Sequence, residues 1–176
     1  MPRMLADKKR TLWVLDEWPE DVDNVDAVTL NEAENASCVV GNSGFTLGAG
    51  SPNTENDGAL CEGDSAETPT SQTYEASMNV FRFYDHDTGQ IIVEEDFLFQ
   101  ALKEFGSTVV LALRDGGKKH DEDAVEGDEV SFYEVTSGGM GRPTDTTGWQ
   151  KREAHLTVNR AAEDKWVGGV APDEGS

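Results

Sequence analysis

Short apolar stretches, separated by glycine, proline and polar turn residues, recur along the chain. Residues 11–15, 25–30 and 36–40 are the first three of these stretches, and each has a length typical of a β-strand. Eighteen glycines and six prolines cut the apolar pattern into such pieces throughout. The pattern therefore predicts a mainly β fold with frequent turns.

The middle of the chain predicts a strand, a turn, a second strand and then a helix. Residues 76–84 and 90–93 favour the two strands, on either side of a turn at residues 85–89. Acidic residues favour a helix beginning near residue 95, and a glycine at position 106 favours its end. Five apolar residues recur at helical spacing and predict the core face of a helix over residues 95–105: Phe97, Leu98, Ala101, Leu102 and Phe105.

Three further strands are predicted in the second half of the chain. Residues 108–113 are apolar on both faces, which predicts a strand buried from both sides at the centre of the core, with the helix covering one side. Residues 129–135 predict a half-buried strand, followed by a turn-rich segment over 137–148. Residues 151–159 alternate, with Ala154, Leu156 and Val158 on one face.

A chain of 176 residues fits a single domain, which we expect to span residues 11–170. Residues 1–10 favour an N-terminal arm, and residues 171–176 favour a loose C-terminal tail. Residues 41–73 are rich in Gly, Ser, Asn, Thr and acidic residues, which predicts a long projecting loop or hairpin. Residues 165–170 predict either a last strand or a docking arm.

The chain carries 14 Lys and Arg against 35 Asp and Glu, a formal net charge of 14 − 35 = −21. Affinity for DNA grows with cationic contacts to phosphate, so this charge argues against nucleic-acid binding. Seven Phe, four Trp and three Tyr argue equally against a disordered acidic tail. Because the acid is spread over every loop, we expect a saline setting, in which self-repulsion is screened.

No motif in the chain specifies a catalytic, cofactor or metal site, so we expect a protein that is not an enzyme. The sequence Asp85-His86-Asp87-Thr88-Gly89 lacks the further ligands of a calcium loop, and a hairpin turn is the better interpretation. His120, beside three acidic residues, lies in a predicted loop of solvated charges. Residues 41–45 fail the GxSxG pattern at its last position. The spacing of Cys38 and Cys61 leaves open a disulfide or two separate thiols.

No apolar run reaches the roughly 18–20 residues of a membrane span, and no export signal is evident at the start of the chain. We therefore expect no membrane anchor.

A succession of short motifs in the second half of the chain points to a family. They are Tyr74-Glu75-Ala76, the strand end over residues 81–85, and residues 98–103, 106–110, 127–130 and 142–145. In this order and spacing they resemble the major tail proteins, or tail tube proteins, of long-tailed, siphovirus-like bacterial and archaeal viruses. The preceding residues 58–62 resemble the segment leading into the same strand, and the resemblance covers roughly residues 25–160.

The resemblance implies a β-sandwich or half-barrel with one flanking helix, in which six copies close into a ring. Strands of all copies would form one continuous lumen barrel, and stacked rings would form the tube through which DNA passes without specific binding. It also implies a place in the virion tail after assembly in the host cytoplasm. The implied partners are further copies of the chain, the tape measure, the tail terminator and the distal tail protein.

Contacts between copies would then come from residues 1–10, residues 41–73 and the segment around residue 166. Candidate contact residues are Trp13, Phe45, Leu47 and Trp166, with ordinary core packing as the alternative for each aromatic residue. A different class of function, a carbohydrate- or receptor-binding β-sandwich, would use exposed Trp and Tyr side chains as a stacking platform. An enzyme using carboxylates on a β scaffold is a third interpretation.

Overall fold

The computed structural model describes residues 9–55, 68–143 and 147–172, and these residues form a mainly β fold, as predicted. The strands are β1 (Arg10–Leu15), β2 (Glu34–Asn35), β3 (Thr46–Ala49), β4 (Asn53–Glu55), β5 (Thr68–Ser71), β6 (Tyr74–Phe81), β7 (Thr108–Asp115), β8 (Glu129–Gly141) and β9 (Lys151–Trp166). Two short helices, α1 (Ala27–Glu32) and α2 (Phe97–Leu102), interrupt them, and a 3₁₀ turn (Val167–Gly169) follows β9.

Seven strands form one antiparallel sheet in the order β2-β1-β7-β8-β9-β6-β3, while β4 and β5 form a separate hairpin. The long strands β8 and β9 pair along most of their lengths. Their register shifts at three places, between Val130 and Phe132, between Glu134 and Val135, and between Ser137 and Met140. Such irregularities bend a strand and increase its twist, so they favour a strongly curved sheet.

The curved sheet encloses a first core between strands that are not neighbours. Leu12 of β1 and Met78 of β6 belong to this core, although β7, β8 and β9 lie between them in the sheet. The connection after β2 spans the gap: the Ala36 amide donates to the Leu12 carbonyl at 2.7 Å, and the Gly41 amide donates to the Asn79 carbonyl at 2.8 Å. These backbone bonds tie β1 to β6 and close this side of the core.

Strand β7 is the centre of the fold and is buried on both faces, as the sequence predicted. Val109, Leu111 and Leu113 point into the first core. Val110 and Ala112 point into a second core on the opposite face. Leu98 and Leu102 of α2 join the first core, whereas Leu30 of α1 joins the second, so each short helix supplies buried leucine to one face of the sheet.

Two of the three strands predicted near the N-terminus were wrong. Residues 25–30 lie largely in α1, which begins after Asp26, whose carboxylate accepts a hydrogen bond from the Val28 amide at 3.3 Å. A capping carboxylate satisfies an amide at the helix start and favours the helix over a strand. Residues 36–40 form a turn, in which only Val40 makes a bridge, to Val80.

Two predictions in the second half also differ from the structure. The turn at residues 85–89 is confirmed, but residues 90–93 form no strand and contribute only the bridge between Tyr84 and Ile91. The segment over 137–148 does not begin as turns, because β8 continues to Gly141. The Ser137 hydroxyl donates to the Leu102 carbonyl at 2.7 Å, so this part of β8 fixes the end of α2.

The predicted helix is confirmed over a shorter range, and one residue of its predicted core face lies outside the core. Leu98 and Leu102 are buried, and Phe97 and Ala101 pack partly against them. The α-helical segment ends at Leu102, so the helical spacing that placed Phe105 on the same face no longer applies there. The Phe105 side chain is 86% exposed and is therefore not part of the core.

This difference predicts unequal effects for truncations at Leu102 and Phe105, which lie three residues apart. We expect Leu102→Ala to lower the free energy of unfolding by about 2–5 kcal/mol, because it opens a cavity in the first core. Phe105→Ala should change it by less than about 0.5 kcal/mol, as for surface substitutions generally. Urea denaturation of both variants under conditions that keep the chain monomeric checks the contrast, and equal losses would contradict it.

Candidate assembly surfaces

Both ends of the seven-stranded sheet are edge strands. At one end, β3 pairs with β6 through Thr46–Ala49, and no further strand of the described residues pairs with its outer edge. At the other end, β2 contributes only Glu34 and Asn35. Because an edge strand offers unpaired backbone groups to another chain, the β3 edge is a candidate surface for assembly.

The predicted projecting segment over residues 41–73 contains β3 and the separate β4–β5 hairpin. Asn53 pairs with Ser71 in this hairpin, and its side-chain amide donates to the Ser71 hydroxyl at 2.8 Å. All of β4 is exposed. Residues 56–67, with Cys61, lie outside the described residues, as do residues 1–8 of the predicted arm. Contacts of these segments with other copies stay a prediction.

The structure separates the four predicted contact residues. Trp13 lies in the second core, is 3% exposed and packs about 5.0 Å from the Arg114 guanidinium, so core packing describes its place. Phe45 and Leu47 are half-buried against the first core. Trp166 ends β9 and is 36% exposed. A contact role for Phe45, Leu47 and Trp166 stays a prediction.

Phe45 lines an open groove of about 600 Å³ beside the start of β1. Its ring lies 5.5 Å from the Arg10 guanidinium, a cation–π distance. His120 also lines the groove, and its Nδ1 lies 3.8 Å from the sulfur of the exposed Cys38. The groove starts where the N-terminal arm would leave the domain, since Lys9 is one of its lining residues.

Several exposed apolar residues at one end of the sheet were missed by the sequence reasoning. Trp149 is 82% exposed just before β9, and Tyr84, Ile91 and Val93 are exposed after β6. The Arg82 amide donates to the Gln150 carbonyl at 2.8 Å, which brings these two chain segments together. Trp149 lies in an irregular segment, where no periodicity marks a residue as buried or exposed. Tyr84, Ile91 and Val93 belong to the two predicted strands 76–84 and 90–93, of which the structure keeps only the Tyr84–Ile91 bridge at these positions.

Carboxylates surround a smaller groove at the other end of the β8–β9 pair. Its volume is about 170 Å³. The acidic residues that line it are Asp115, Glu129, Glu163 and Asp164. The Tyr133 hydroxyl donates to a Glu163 carboxylate oxygen at 3.1 Å. Burial and the neighbouring Glu163 charge raise the pKa of Tyr133 well above its usual range, so the phenol stays protonated there.

A buried ion pair fixes α2 against the end of β6. The Arg82 side chain is 4% exposed and donates from Nε to Asp96 at 3.0 Å, and the Asp96 side chain is fully buried. Asp96 also accepts from the Phe83 amide at 3.3 Å and from the Gln100 side chain at 3.0 Å. The Arg82 guanidinium stacks on the Phe99 ring at 3.5 Å. These contacts hold the chain that leads into the exposed residues 84–93.

A second buried arginine, Arg114, organises the loop between β7 and β8. It donates to the Asp128 carboxylate at 3.1 Å and to the Thr11 hydroxyl at 3.0 Å. It also donates to three backbone carbonyls of the loop, those of Lys119, Glu122 and Asp123. The loop predicted to be solvated therefore has one buried cation as its anchor.

Asp128 makes this anchor sensitive to acid. Burial would raise the pKa of Asp128, but hydrogen bonds from Lys118, the Val125 amide and Arg114 outweigh it and hold the pKa below the ordinary value. Its contribution to stability is therefore complete above the unfolded pKa of about 3.9 and is lost as the pH falls through the lower folded value.

We accordingly expect Asp128→Asn to lower stability at pH 7 more than at pH 3. Thermal unfolding of the variant and the parent chain at both pH values measures the difference. If the difference in thermal midpoint between the two proteins is as large at pH 3 as at pH 7, the Asp128 charge does not contribute to stability.

The acidic, histidine and cysteine side chains of the described residues form no metal-binding cluster. No group of three or more of these described side chains is arranged to hold a metal ion. The Asp85 carboxylate accepts from the amides of Asp87 and Thr88, at 2.8 and 2.9 Å, so it closes a turn. These bonds lower the pKa of Asp85. Neither described helix has the length and apolar character needed to cross a membrane.

A family model described as phage tail tube protein matches residues 1–168. No curated protein matches the chain. The match covers all three described parts of the chain except the last four described residues, so it includes both edges of the sheet and both cores.

Proposed function

The chain belongs to the phage tail tube protein family, and from this premise we propose that six copies close into a ring and that the rings stack into the tail tube. Membership makes it a structural protein of the virion tail. In the proposed assembly, strands of all copies form one continuous lumen barrel, and the barrel gives the genome a channel during delivery.

The observation that carries the ring is the seven-stranded sheet with its exposed β3 edge. An antiparallel sheet closes into a barrel only when its edges find partners, and closure removes the edges that would otherwise aggregate. The described part of one chain leaves the outer edge of β3 without a strand partner. A neighbouring copy in a ring would supply that partner.

The acidity of the chain supports a channel that does not bind DNA. Six copies carry 6 × −21 = −126 formal charges per ring. Only part of this charge faces the lumen. Phosphates are held at protein surfaces mainly by cations, so an acidic wall lets DNA pass without sticking. The other Asp and Glu residues lie on surfaces outside the lumen, and we propose that they adapt the protein to a saline host.

The saline setting makes a prediction about stability. The Debye length falls from about 10 Å at 0.1 M salt to about 3 Å at 1 M, so salt should relieve the repulsion among acidic side chains. We expect the thermal midpoint to rise by at least about 3 °C between these concentrations, roughly 1 kcal/mol for a chain of this size. Calorimetry in KCl measures it, and a midpoint that falls with salt would contradict the saline adaptation.

The proposed partners are further copies of the chain and, at the ends of the tube, the tape measure, tail terminator and distal tail proteins. Assembly takes place in the host cytoplasm before the tail joins the virion. Sedimentation of the purified chain over a range of concentration and salt tests self-assembly. Large polymers support the tube, whereas a monomer under every condition contradicts it and favours a binding module.

A further inference from the structure

We propose that the exposed apolar end of the β8–β9 hairpin, at Trp149, docks on the acidic groove at the opposite end of the same hairpin in a second copy. The inference rests on the proposed self-assembly and names the two surfaces that meet. We call the first surface the Trp149 end and the second the acidic end.

The Trp149 end combines apolar exposure with positive charge. Between Glu134 and Glu163 the sequence has four Lys and Arg against two acids, 4 − 2 = +2, so the rest of the chain carries −23. Three of these cations lie where β8 ends and β9 begins: Arg142, Lys151 and Arg152. The fourth, Arg160, is paired with Glu134 at 2.8 Å. None of the three makes an ion pair within the described residues.

Trp149 is the largest side chain of this surface and stands 82% exposed. Val93 is 62% exposed in the adjoining segment, which the backbone bond between Arg82 and Gln150 holds beside it. That segment also carries the exposed acids Asp87, Glu94 and Glu95, so the positive charge belongs to the end of the β8–β9 hairpin itself. Exposed aromatic and aliphatic residues rimmed by charge mark interaction surfaces, and Trp and Arg dominate the binding energy of protein interfaces. The Trp149 end therefore has the chemistry of a docking surface.

The acidic end offers the complementary chemistry. Carboxylates of Asp115, Glu129, Glu163 and Asp164 rim its groove, whereas Leu47 and Leu113 add apolar lining. A surface with an exposed tryptophan and flanking cations thus meets apolar lining with flanking anions. Such complementarity steers association and fixes register.

The two ends cannot meet within one chain. β8 runs from Glu129 at the acidic end to Gly141 at the Trp149 end, and 13 strand residues span about 40 Å. The partner must then be a second copy, which in turn presents its own unused end. When two different surfaces of identical chains meet, the contact repeats from copy to copy. It gives a closed ring if the rotation between copies closes, and an open filament if it does not.

Charge reversal tests the pairing. Arg142→Glu with Lys151→Glu changes the three cations of the Trp149 end from +3 to −1. Asp115 is paired with Arg10, so Glu129→Lys with Glu163→Lys changes the three other acids of the acidic end from −3 to +1. At 0.1 M salt, each double variant should raise the concentration needed for polymers at least about tenfold. The chain carrying all four substitutions has both charges exchanged, and it should assemble again. Failure of the double variants to weaken assembly, or of the fourfold variant to recover it, overturns the pairing.

Trp149→Ser tests the apolar part without altering charge. We expect it to raise the concentration needed for polymers at least about tenfold while leaving the thermal midpoint of the monomer unchanged. Val28→Ser, which removes an exposed apolar residue from α1, is the matched control and should assemble normally. Normal assembly of the Trp149 variant overturns the inference but leaves the tube proposal standing. A parent chain that never assembles overturns both.

Discussion

Replacing Arg114 with methionine is expected to lower the free energy of unfolding by about 3–5 kcal/mol, one of the two largest effects that the structure predicts. The Arg114 side chain is 3% exposed, and it donates to the Asp128 carboxylate and to three loop carbonyls. Removal leaves these acceptors without their donor in a place that water reaches poorly. Urea denaturation of the purified monomer measures the loss.

Arg160→Met is the matched control, because Arg160 also pairs with a carboxylate but is about half exposed. We expect it to cost no more than about 1 kcal/mol. Arg114→Lys should lie between the two, because an ammonium keeps the charge but cannot reach all of the acceptors. Equal costs for Arg114→Met and Arg160→Met would contradict the anchoring role of Arg114.

Asp96→Ala is expected to lower the free energy of unfolding by a similar amount, about 3–5 kcal/mol, because it leaves the Arg82 guanidinium buried without its counter-charge. It also removes an acceptor from the Phe83 amide and from Gln100. Since Asp96 holds the chain on both sides of residues 84–93, the exposed residues of that segment should lose their fixed position as well. Denaturation and hydrogen exchange of the Phe83 amide measure the two effects.

The double variant Arg82→Met with Asp96→Ala separates loss of the charge partner from loss of packing. When both charges are removed, no uncompensated charge stays buried, so the double variant should be more stable than Asp96→Ala alone. A double variant whose cost equals the sum of the single costs would show that the pair does not interact.

Strand β7 and helix α2 were predictable because their signals are local. The run at 108–113 is apolar on both faces, and only burial from both sides accounts for such a strand. Leu98 and Leu102 lie four residues apart, which is the spacing of one helix face. Both patterns are formed by residues close together in the sequence, so contacts with distant parts of the chain did not alter the predicted elements.

The errors arose where local patterns fit two structures. Residues 25–30 have the length and apolar content of a strand, yet the Asp26 cap makes residues 27–32 a helix. Phe105 continues the helical spacing beyond the point where the α-helical segment ends. Residues 36–40 have the composition of a strand, but their hydrogen bonds go to β1 and β6 and span the open side of the first core.

The surfaces for assembly were the least predictable part. The buried pairs of Arg82 with Asp96 and Arg114 with Asp128 were not predicted, because among 49 charged side chains nothing local marks the few that are buried (14 + 35 = 49). Trp149 lies in a turn, where exposure depends on strands far away in the sequence. Trp13 is the reverse case of Trp149: it was proposed for contacts between copies, but it lies in the second core.

Electron microscopy of the purified chain, at 0.1 M and at 1 M or higher salt, tests the central claim most directly. The tube proposal predicts long polymers of constant width, built of stacked rings with sixfold symmetry and an open axial channel. Three-dimensional reconstruction should then show β3 of each copy beside a strand of its neighbour. Monomers alone at every salt and concentration, or aggregates without rings, would contradict the account.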